Sequence, residues 1–140
     1  MLKYIFFDFD GVLHNTFDVH LREIRNFSGL DLTEQEYRDL HNGNIFGHNQ
    51  DKLRDMDWIK YRDHVKSHIA ELKTEDAMKM VVHALCDRYG MAIVSSSGRS
   101  ILVEYLKNNN LGECFSDILG AEFHFSKEEK CRHLLERYSL

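Results

Sequence analysis

The chain has 140 residues, of which 43% are hydrophobic and 29% are charged, and its formal net charge is −5. This length supports one hydrophobic core with room for an inserted subdomain, and the interspersed charges form no basic stripe that would favour a nucleic acid partner. No apolar run is long enough to cross a membrane, the first residues are typical of a strand rather than a signal peptide, and three widely spaced cysteines fit reduced thiols of a cytoplasmic protein without a disulfide or zinc framework.

The first predicted element is a buried strand that ends in two acids. Residues 2–7 are apolar, aromatic or β-branched, and Asp8, Asp10 and Gly11 follow directly. Side chains two residues apart on an extended chain point the same way, and Gly11 permits the turn that must come next. Ligands of open α/β sheets bind at the carboxyl ends of the strands. We therefore predict a functional site at Asp8 and Asp10.

The spacing of these acids suits phosphate chemistry. One carboxylate can attack phosphorus and form an aspartyl-phosphate, while the other protonates the leaving oxygen and then activates water. Such a pair needs a hard cation to neutralise its charge, and Mg²⁺ prefers oxygen ligands. The alternative is a strand that ends in an Asp-Gly turn with a solvated acid. We favour the functional interpretation because an apolar strand seldom ends in two acids and a glycine.

Residues 16–73 are predicted to be helical throughout. The first helix is expected to end at Ser28-Gly29, and Thr33 and Glu36 form a capping box for the second. A longer helix, or two helices, is predicted from about Gln50 to Leu72.

Several polar residues near this segment could face a ligand. Four of them surround a glycine-containing loop, although polar loop residues usually face solvent: His41, Asn44, His48 and Arg54. His14 and Asn15 either line the mouth of a cleft or begin the first helix. His64 and His68 have the i, i+4 spacing of metal sites, but no Glu or Cys stands at ligand spacing, so a solvated helix face is favoured.

The second half begins with a helix over residues 75–89, with Thr74 as its expected cap. Five of its residues should pack on the sheet: Ala77, Met80, Val81, Ala84 and Leu85. Met91–Val94 is predicted to be the next strand. A helix over 99–109 follows, with Ile101, Leu102, Tyr105 and Leu106 at helical spacing.

Three serines lie between that strand and that helix. Hydroxyls and free backbone N–H groups at such a junction can hold a phosphate. Ser97 could instead cap the helix, and both interpretations can be true because Ser95 and Ser96 remain.

The last predicted helix has Ser126 as its N-cap and Glu129 three residues later, a capping box. Lys127 then lies in the first turn, where a cation opposes the helix dipole. Local stability does not explain this lysine, whereas a nearby phosphate and Asp8 would. Lys130 is the competing candidate, and we favour Lys127 because first-turn groups reach the anion site of a helix.

The segment from Phe6 to Leu13 resembles the first motif of the haloacid dehalogenase (HAD) superfamily, an apolar strand followed by DxDG[TV]L. The resemblance implies that Asp8 is the nucleophile and Asp10 the general acid/base. It also implies that Mg²⁺ is bound by the Asp8 carboxylate and the Asp10 backbone carbonyl. A dehalogenase would lack the second aspartate, so phosphate chemistry is favoured.

Further family motifs match downstream. Ser95 corresponds to the hydroxyl residue that ends the second-motif strand, Ser96 would add its backbone N–H, and Lys127 corresponds to the third-motif lysine. The family's fourth motif, a strand followed by acids that complete the Mg²⁺ site, has no counterpart up to Leu140. That strand normally pairs beside the first. We therefore expect weak Mg²⁺ binding and a homodimer through an open sheet edge.

The fold expected from the resemblance is α/β, a truncated HAD-like, Rossmann-like parallel sheet with an inserted α-helical cap. Residues 1–15 and 74–140 would form the core and residues 16–73 the cap. The expected function is Mg²⁺-dependent hydrolysis of a small phosphorylated metabolite, a phosphate monoester. Alternatives are a phosphomutase of the same family, or an impaired phosphate-binding or regulatory module.

Overall fold

The computed structural model describes residues 3–41, 51–53 and 55–140. The regular elements in chain order are β1 (Tyr4–Phe7), α1 (Phe17–Ser28), α2 (Glu34–Leu40), α3 (Trp58–Ala70), α4 (Asp76–Cys86), β2 (Gly90–Val94), α5 (Arg99–Asn108), β3 (Asp117–Leu119) and α6 (Lys127–Tyr138). Short 3-10 turns cover Asp51–Leu53 and Gly112–Cys114. This alternation of strands and helices confirms the predicted α/β class.

The three strands form one parallel sheet in the order β1-β2-β3. Tyr4 pairs with Gly90, and Ala92 pairs with Asp117. Every β2 residue from Met91 to Val94 is buried, as expected of a central strand between two neighbours. The first two strands lie where the sequence predicts them. Only β3 escapes prediction, because three residues are too few for a periodic pattern.

The chemistry of the helix ends follows the sequence closely. Thr33 and Glu36 form the predicted capping box of α2. Gly29 ends α1 in the left-handed conformation at a φ of 69°. Ser126 caps α6, and its hydroxyl accepts a hydrogen bond from the Glu129 N–H at 3.4 Å. The predicted capping box is incomplete, because the Ser126 N–H donates to His124 Nδ1 at 2.9 Å instead of to the Glu129 side chain.

Thr74 does not cap α4, contrary to the prediction. Glu75 occupies the N-cap position, while the buried Thr74 hydroxyl lies 2.6 Å from the Tyr105 hydroxyl. The Thr74 N–H donates to the Asn109 side chain at 2.8 Å. The hydroxyl and the N–H of Thr74 therefore contact α5 and the residue that follows it, instead of capping the N-terminus of α4.

The buried face of α4 is also rotated from the predicted one. Val82 is fully buried, and Met78 and Leu85 pack against the core, whereas Ala77 and Ala84 are exposed. Met80 is 73% exposed and Val81 is 50% exposed. Apolar residues lie on several neighbouring faces of α4, so the sequence is compatible with more than one buried face. Packing against the rest of the protein decides which face is buried.

The predicted cap helices share a hydrophobic core with the sheet. Leu21 and Ile24 of α1, Val65 of α3 and Ile101 and Leu102 of α5 belong to one cluster of buried side chains. Each such buried side chain contributes on the order of 1.5–3 kcal/mol. The division into a core and a cap at residues 16–73 stays a prediction. Across the part of the chain that the structure describes, no helix is long and apolar enough to cross a membrane.

The edge of β1 carries our prediction about assembly. β1 pairs only with β2 among the described strands, and all four of its residues are partly exposed. An unpaired edge presents N–H and C=O groups to other chains, so we expect self-association that grows with concentration. Light scattering at micromolar concentrations measures it, and hydrogen exchange should show new protection of β1 amides in the associated form. A monomer at all concentrations would contradict the prediction.

Candidate active site

A cavity of about 780 Å³ opens where the sheet meets the helices of residues 16–73. The lining includes Asp8, Asp10, Ser96 and Ser97 from the ends of β1 and β2, together with Lys127 from the start of α6. The structure therefore brings together four of the five predicted site residues around one opening. Ser95 lies immediately behind them.

Asp8 stands at the end of β1 with one oxygen held by the chain and the other paired to a cation. Its Oδ1 accepts a hydrogen bond from the Phe9 N–H at 2.8 Å. Its Oδ2 lies 2.5 Å from Lys127 Nζ. The two side chains are 33% and 45% exposed, so both reach the cavity. A fixed carboxylate with one face open is suited to nucleophilic attack.

Asp10 is held by three donors, none of which the sequence indicated. Thr16 Oγ1 donates to Oδ1 at 2.6 Å, and Ser97 Oγ donates to Oδ2 at 2.7 Å. His20 Nε2 lies 3.2 Å from Oδ1. Gly11 turns the chain here at a φ of 76°, as its position in the motif predicts.

These contacts set the ionisation of Asp10. Burial opposes the charged form, but the hydrogen bond and charge of His20, together with the two hydroxyls, outweigh it and lower the pKa of Asp10 to about 2. Asp10 is therefore a carboxylate at neutral pH in the unliganded protein. His20 belongs to α1, so the helical segment contributes directly to the state of this acid.

Ser95, Ser96 and Ser97 form the loop between β2 and α5, called the serine loop below, and each has a different environment. Ser95 is fully buried and does not line the cavity, and its hydroxyl accepts a hydrogen bond from the Ser97 N–H at 3.0 Å. Ser97 bonds Asp10 rather than capping α5, whose N-cap is Gly98. The Ser96 N–H has no acceptor among the described residues, and Ser96 lines the cavity. It is the loop group best placed to bind an anion. The phosphate-binding role of Ser95 stays a prediction.

The two candidate lysines occupy different places. Lys127 contacts Asp8, as expected of the favoured candidate. Lys130 is fully buried one turn later, and its ammonium donates to the Ser95 backbone carbonyl. Burial, reinforced by the charge of Lys127, lowers the pKa of Lys130. Lys130 thus supports the serine loop from behind instead of facing a ligand.

Gly120 fixes the other side of this loop, and we predict that it tolerates no side chain. A Cβ added there would lie 2.5 Å from the Arg99 nitrogen and 2.8 Å from the Ser97 carbonyl oxygen, both backbone atoms that cannot move independently. We expect Gly120→Ala to displace the serine loop, weaken phosphate binding and destabilise the fold by about 1–3 kcal/mol. Calorimetric titration with phosphate and thermal unfolding measure both effects.

Gly112→Ala is the matched control, because a Cβ at Gly112 meets nothing within 4 Å. Equal phosphate affinity and stability in the two variants would contradict the predicted role of Gly120.

The opposite wall of the cavity comes from the helical segment. Arg38, Trp58, Tyr61 and Arg62 line it. Arg38 stacks on the Phe17 ring at 4.2 Å. Two guanidinium groups in the lining give this wall a positive charge that complements an anionic ligand.

The structure places the other candidate residues from the sequence analysis in different surroundings. Asn15 and His41 line the cavity, whereas His14 does not and instead places Nδ1 3.2 Å from the Tyr105 hydroxyl. Asn44, His48 and Arg54 lie outside the described residues. The sequence favoured a solvated helix face for His64 and His68, because no Glu or Cys stands at ligand spacing from them along the chain. In the structure, the carboxylate of Glu23 lies between α1 and α3, close to both imidazoles.

The oxygen atoms at Asp8 and Asp10 fit a hard cation. Among the described residues, the Asp10 backbone carbonyl accepts no hydrogen bond, and it follows Asp8 by two positions. The Asp10 carboxylate is occupied by its three donors, so the Asp8 carboxylate and the Asp10 carbonyl are the groups that would hold Mg²⁺.

The fold is shared with solved structures of low sequence identity. CbbY from Rhodobacter sphaeroides, in complex with xylulose-(1,5)bisphosphate, matches with a TM-score of 0.74 at 17% identity, over 100% of this chain and 74% of that one. A predicted phosphoglycolate phosphatase from Haemophilus somnus 129pt matches with a TM-score of 0.71 at 16% identity, over 99% and 72%. The putative HAD-hydrolase YfnB from Bacillus subtilis, bound to magnesium, matches with a TM-score of 0.65 at 16% identity, over 97% and 72%.

Sequence comparison assigns the family. No curated protein matches the chain significantly in sequence. The profile of the haloacid dehalogenase-like hydrolases, however, matches residues 5–140, nearly the whole chain. The matched region contains every site residue described above. The protein therefore belongs to the haloacid dehalogenase-like hydrolase family.

Proposed function

We propose that this protein hydrolyses a small phosphate monoester through an aspartyl-phosphate formed on Asp8. The observation that carries the proposal is the 2.5 Å pairing of Asp8 with Lys127 beside a second carboxylate, at the mouth of a cavity of about 780 Å³. A cavity of this size suits a small metabolite. Solved relatives described as a phosphatase and as a complex with a sugar bisphosphate support the same class of substrate.

The first half of the reaction transfers the phosphoryl group. The substrate phosphate would enter between Asp8 and Lys127, and the lysine would exchange the carboxylate for a phosphoryl oxygen. Asp8 attacks phosphorus, the bond to the leaving oxygen breaks, and Asp10 delivers a proton to that oxygen. The Ser96 N–H and the Lys127 ammonium stabilise the charge on the equatorial oxygens.

Asp10 must gain the proton needed in this step after the substrate has entered. Because the pKa of Asp10 is about 2, its carboxylate is ionised before substrate binds. His20 lies 3.2 Å away, and its Nδ1 lies 3.0 Å from the Tyr61 hydroxyl. As negative phosphate enters, the new charge raises the affinity of the Asp10 carboxylate for a proton, which water supplies.

The second half returns the site to its starting state. Asp10, now a carboxylate, takes a proton from water, which attacks the phosphorus of the aspartyl-phosphate. The bond between phosphorus and Asp8 breaks, inorganic phosphate is released, and Asp10 gives its proton to solvent, which restores the carboxylate. Mg²⁺, held by the Asp8 carboxylate and the Asp10 carbonyl, would supply neutralising charge at the phosphate.

Release of inorganic phosphate from a panel of phosphate monoesters tests the proposal. We expect turnover that requires Mg²⁺ and is lost in EDTA, and beryllofluoride should bind with Mg²⁺ at Asp8. Phosphate transfer to a second hydroxyl of the substrate, without release, would instead indicate a phosphomutase. Absence of both turnover and beryllofluoride binding in the folded chain would overturn the proposal.

A further inference from the structure

A second cluster of metal-binding side chains lies between α1 and α3. Glu23 comes from α1, and His64 and His68 lie one turn apart on α3. Glu23 Oε2 is 3.0 Å from His64 Nε2 and 3.9 Å from His68 Nδ1. One ligand atom from each residue lies within 4.8 Å of the other two. None of these residues lines the cavity of the proposed active site.

The burial of Glu23 is the feature that calls for an explanation. Its side chain is only 4% exposed, and a carboxylate is costly to bury without compensating positive charge. Arg22 Nε holds the other oxygen, Oε1, at 2.7 Å. This contact fixes the carboxylate and leaves Oε2 directed at the two imidazoles.

The distances suit a tetrahedral ion. Zn²⁺ binds nitrogen and oxygen ligands at about 2.0–2.2 Å, which places neighbouring ligand atoms of a tetrahedron about 3.3 Å apart. The distances of 3.0 and 3.9 Å from Glu23 Oε2 bracket this separation. His68 Nδ1 also lies 3.3 Å from the His64 carbonyl oxygen, a weak hydrogen bond that metal binding would replace.

Exposure of the imidazoles gives an ion access. The His64 and His68 side chains are 36% and 44% exposed, while Glu23 closes the inner side. We propose that Glu23, His64 and His68 form a binding site for Zn²⁺, with water as the fourth ligand. Two histidines and one carboxylate are a ligand set that Zn²⁺ uses in proteins.

The position of this site suggests a structural role. Glu23 follows His20 by one turn of α1, and His64 follows Tyr61 by one turn of α3. His20 and Tyr61 already connect the two helices at 3.0 Å, and His20 reaches Asp10. An ion bound at the next turn would join α1 to α3 and hold the helix pair that positions His20.

Titration of the metal-free chain with Co²⁺ in excess Mg²⁺ tests the site. The excess of Mg²⁺ would compete for the oxygen ligands at Asp8 and Asp10, whereas Co²⁺ reports tetrahedral nitrogen ligands through its visible absorption. We expect one Co²⁺ per chain, displacement by Zn²⁺, and a higher unfolding temperature with Zn²⁺. His68→Gln and Glu23→Gln should each weaken binding at least about tenfold.

His133→Gln is the control, since His133 lies on α6 beside the Phe123 ring and outside the cluster. The His68 side chain is 44% exposed, so His68→Gln is expected to keep its circular dichroism spectrum and to test the site even if Glu23→Gln fails to fold. Absence of tetrahedral Co²⁺ absorption in the folded wild-type chain would overturn the proposal. Unchanged Co²⁺ affinity in folded His68→Gln would also overturn it.

Discussion

Asp8→Asn is expected to abolish phosphate-ester hydrolysis while leaving the fold intact. The amide nitrogen and oxygen of asparagine do not form the acyl phosphate, so we expect a loss in kcat of at least about 10⁴-fold. Phosphate release under saturating substrate measures it. Asp31→Asn, a change at an exposed acid outside the cavity, is the matched control and should retain full activity.

The stability of this variant is a second readout. Relief of repulsion between two close acids would raise stability, but the structure pairs Asp8 with Lys127 and surrounds Asp10 with donors. A partly exposed ion pair contributes about 0–1 kcal/mol, so thermal unfolding of Asp8→Asn should stay within that range of the wild type. Retained turnover in the folded variant would remove Asp8 from the role of nucleophile.

Asp10→Asn is expected to slow hydrolysis by about 10²–10⁴-fold, with the size of the loss set by the leaving group. Alkyl phosphates expel a strongly basic alkoxide that needs a proton. The p-nitrophenolate ion leaves without one. We therefore expect the full loss in kcat with an alkyl phosphate and a much smaller loss of phosphoryl transfer to Asp8 with p-nitrophenyl phosphate, measured as the burst of p-nitrophenolate.

Burst kinetics are needed because Asp10 also activates water in the second half of the reaction. The variant should accumulate the aspartyl-phosphate from p-nitrophenyl phosphate, which acid quenching can trap. Equal losses in the transfer step with both leaving groups would contradict the role of Asp10 as general acid.

The lowered pKa of Asp10 makes the free energy of unfolding depend on pH. The pKa of Asp10 is lowered to about 2 in the folded chain, from about 3.9 in an unfolded one. A lowered pKa stabilises the fold above the unfolded value, and this contribution is lost as pH falls from about 4 toward 2. Unfolding measured across this window should be less pH-dependent in Asp10→Asn than in the wild type. An identical pH dependence would show that the donors around Asp10 do not favour its charged form.

The local features of this protein were predictable from its sequence. The strand before Asp8, the turn at Gly11 and the caps at Thr33 and Ser126 each depend on residues within a few positions of one another. The first-turn position of Lys127 led to its choice over Lys130 for the place beside Asp8, and the motif resemblance added the family.

Helix faces and the partners of the acids could not be predicted in this way. The apolar residues of α4 fit more than one stripe, and only packing decided that Val82 lies inside while Met80 and Val81 lie outside. Thr74 was predicted to be an N-cap because capping preferences consider only residues close in sequence. Its hydroxyl instead forms a hydrogen bond with the hydroxyl of Tyr105 on α5.

The sequence by itself determined at which ends of the strands and helices Asp8, Asp10, the three serines and Lys127 stand. The tertiary structure alone decided how that chemistry is tuned. His20 and Ser97 meet at Asp10, and Glu23 meets His64, because α1, α3 and the serine loop pack at particular angles and depths. Those angles arise from the interlocking of side chains across the whole core, which no short window of sequence contains.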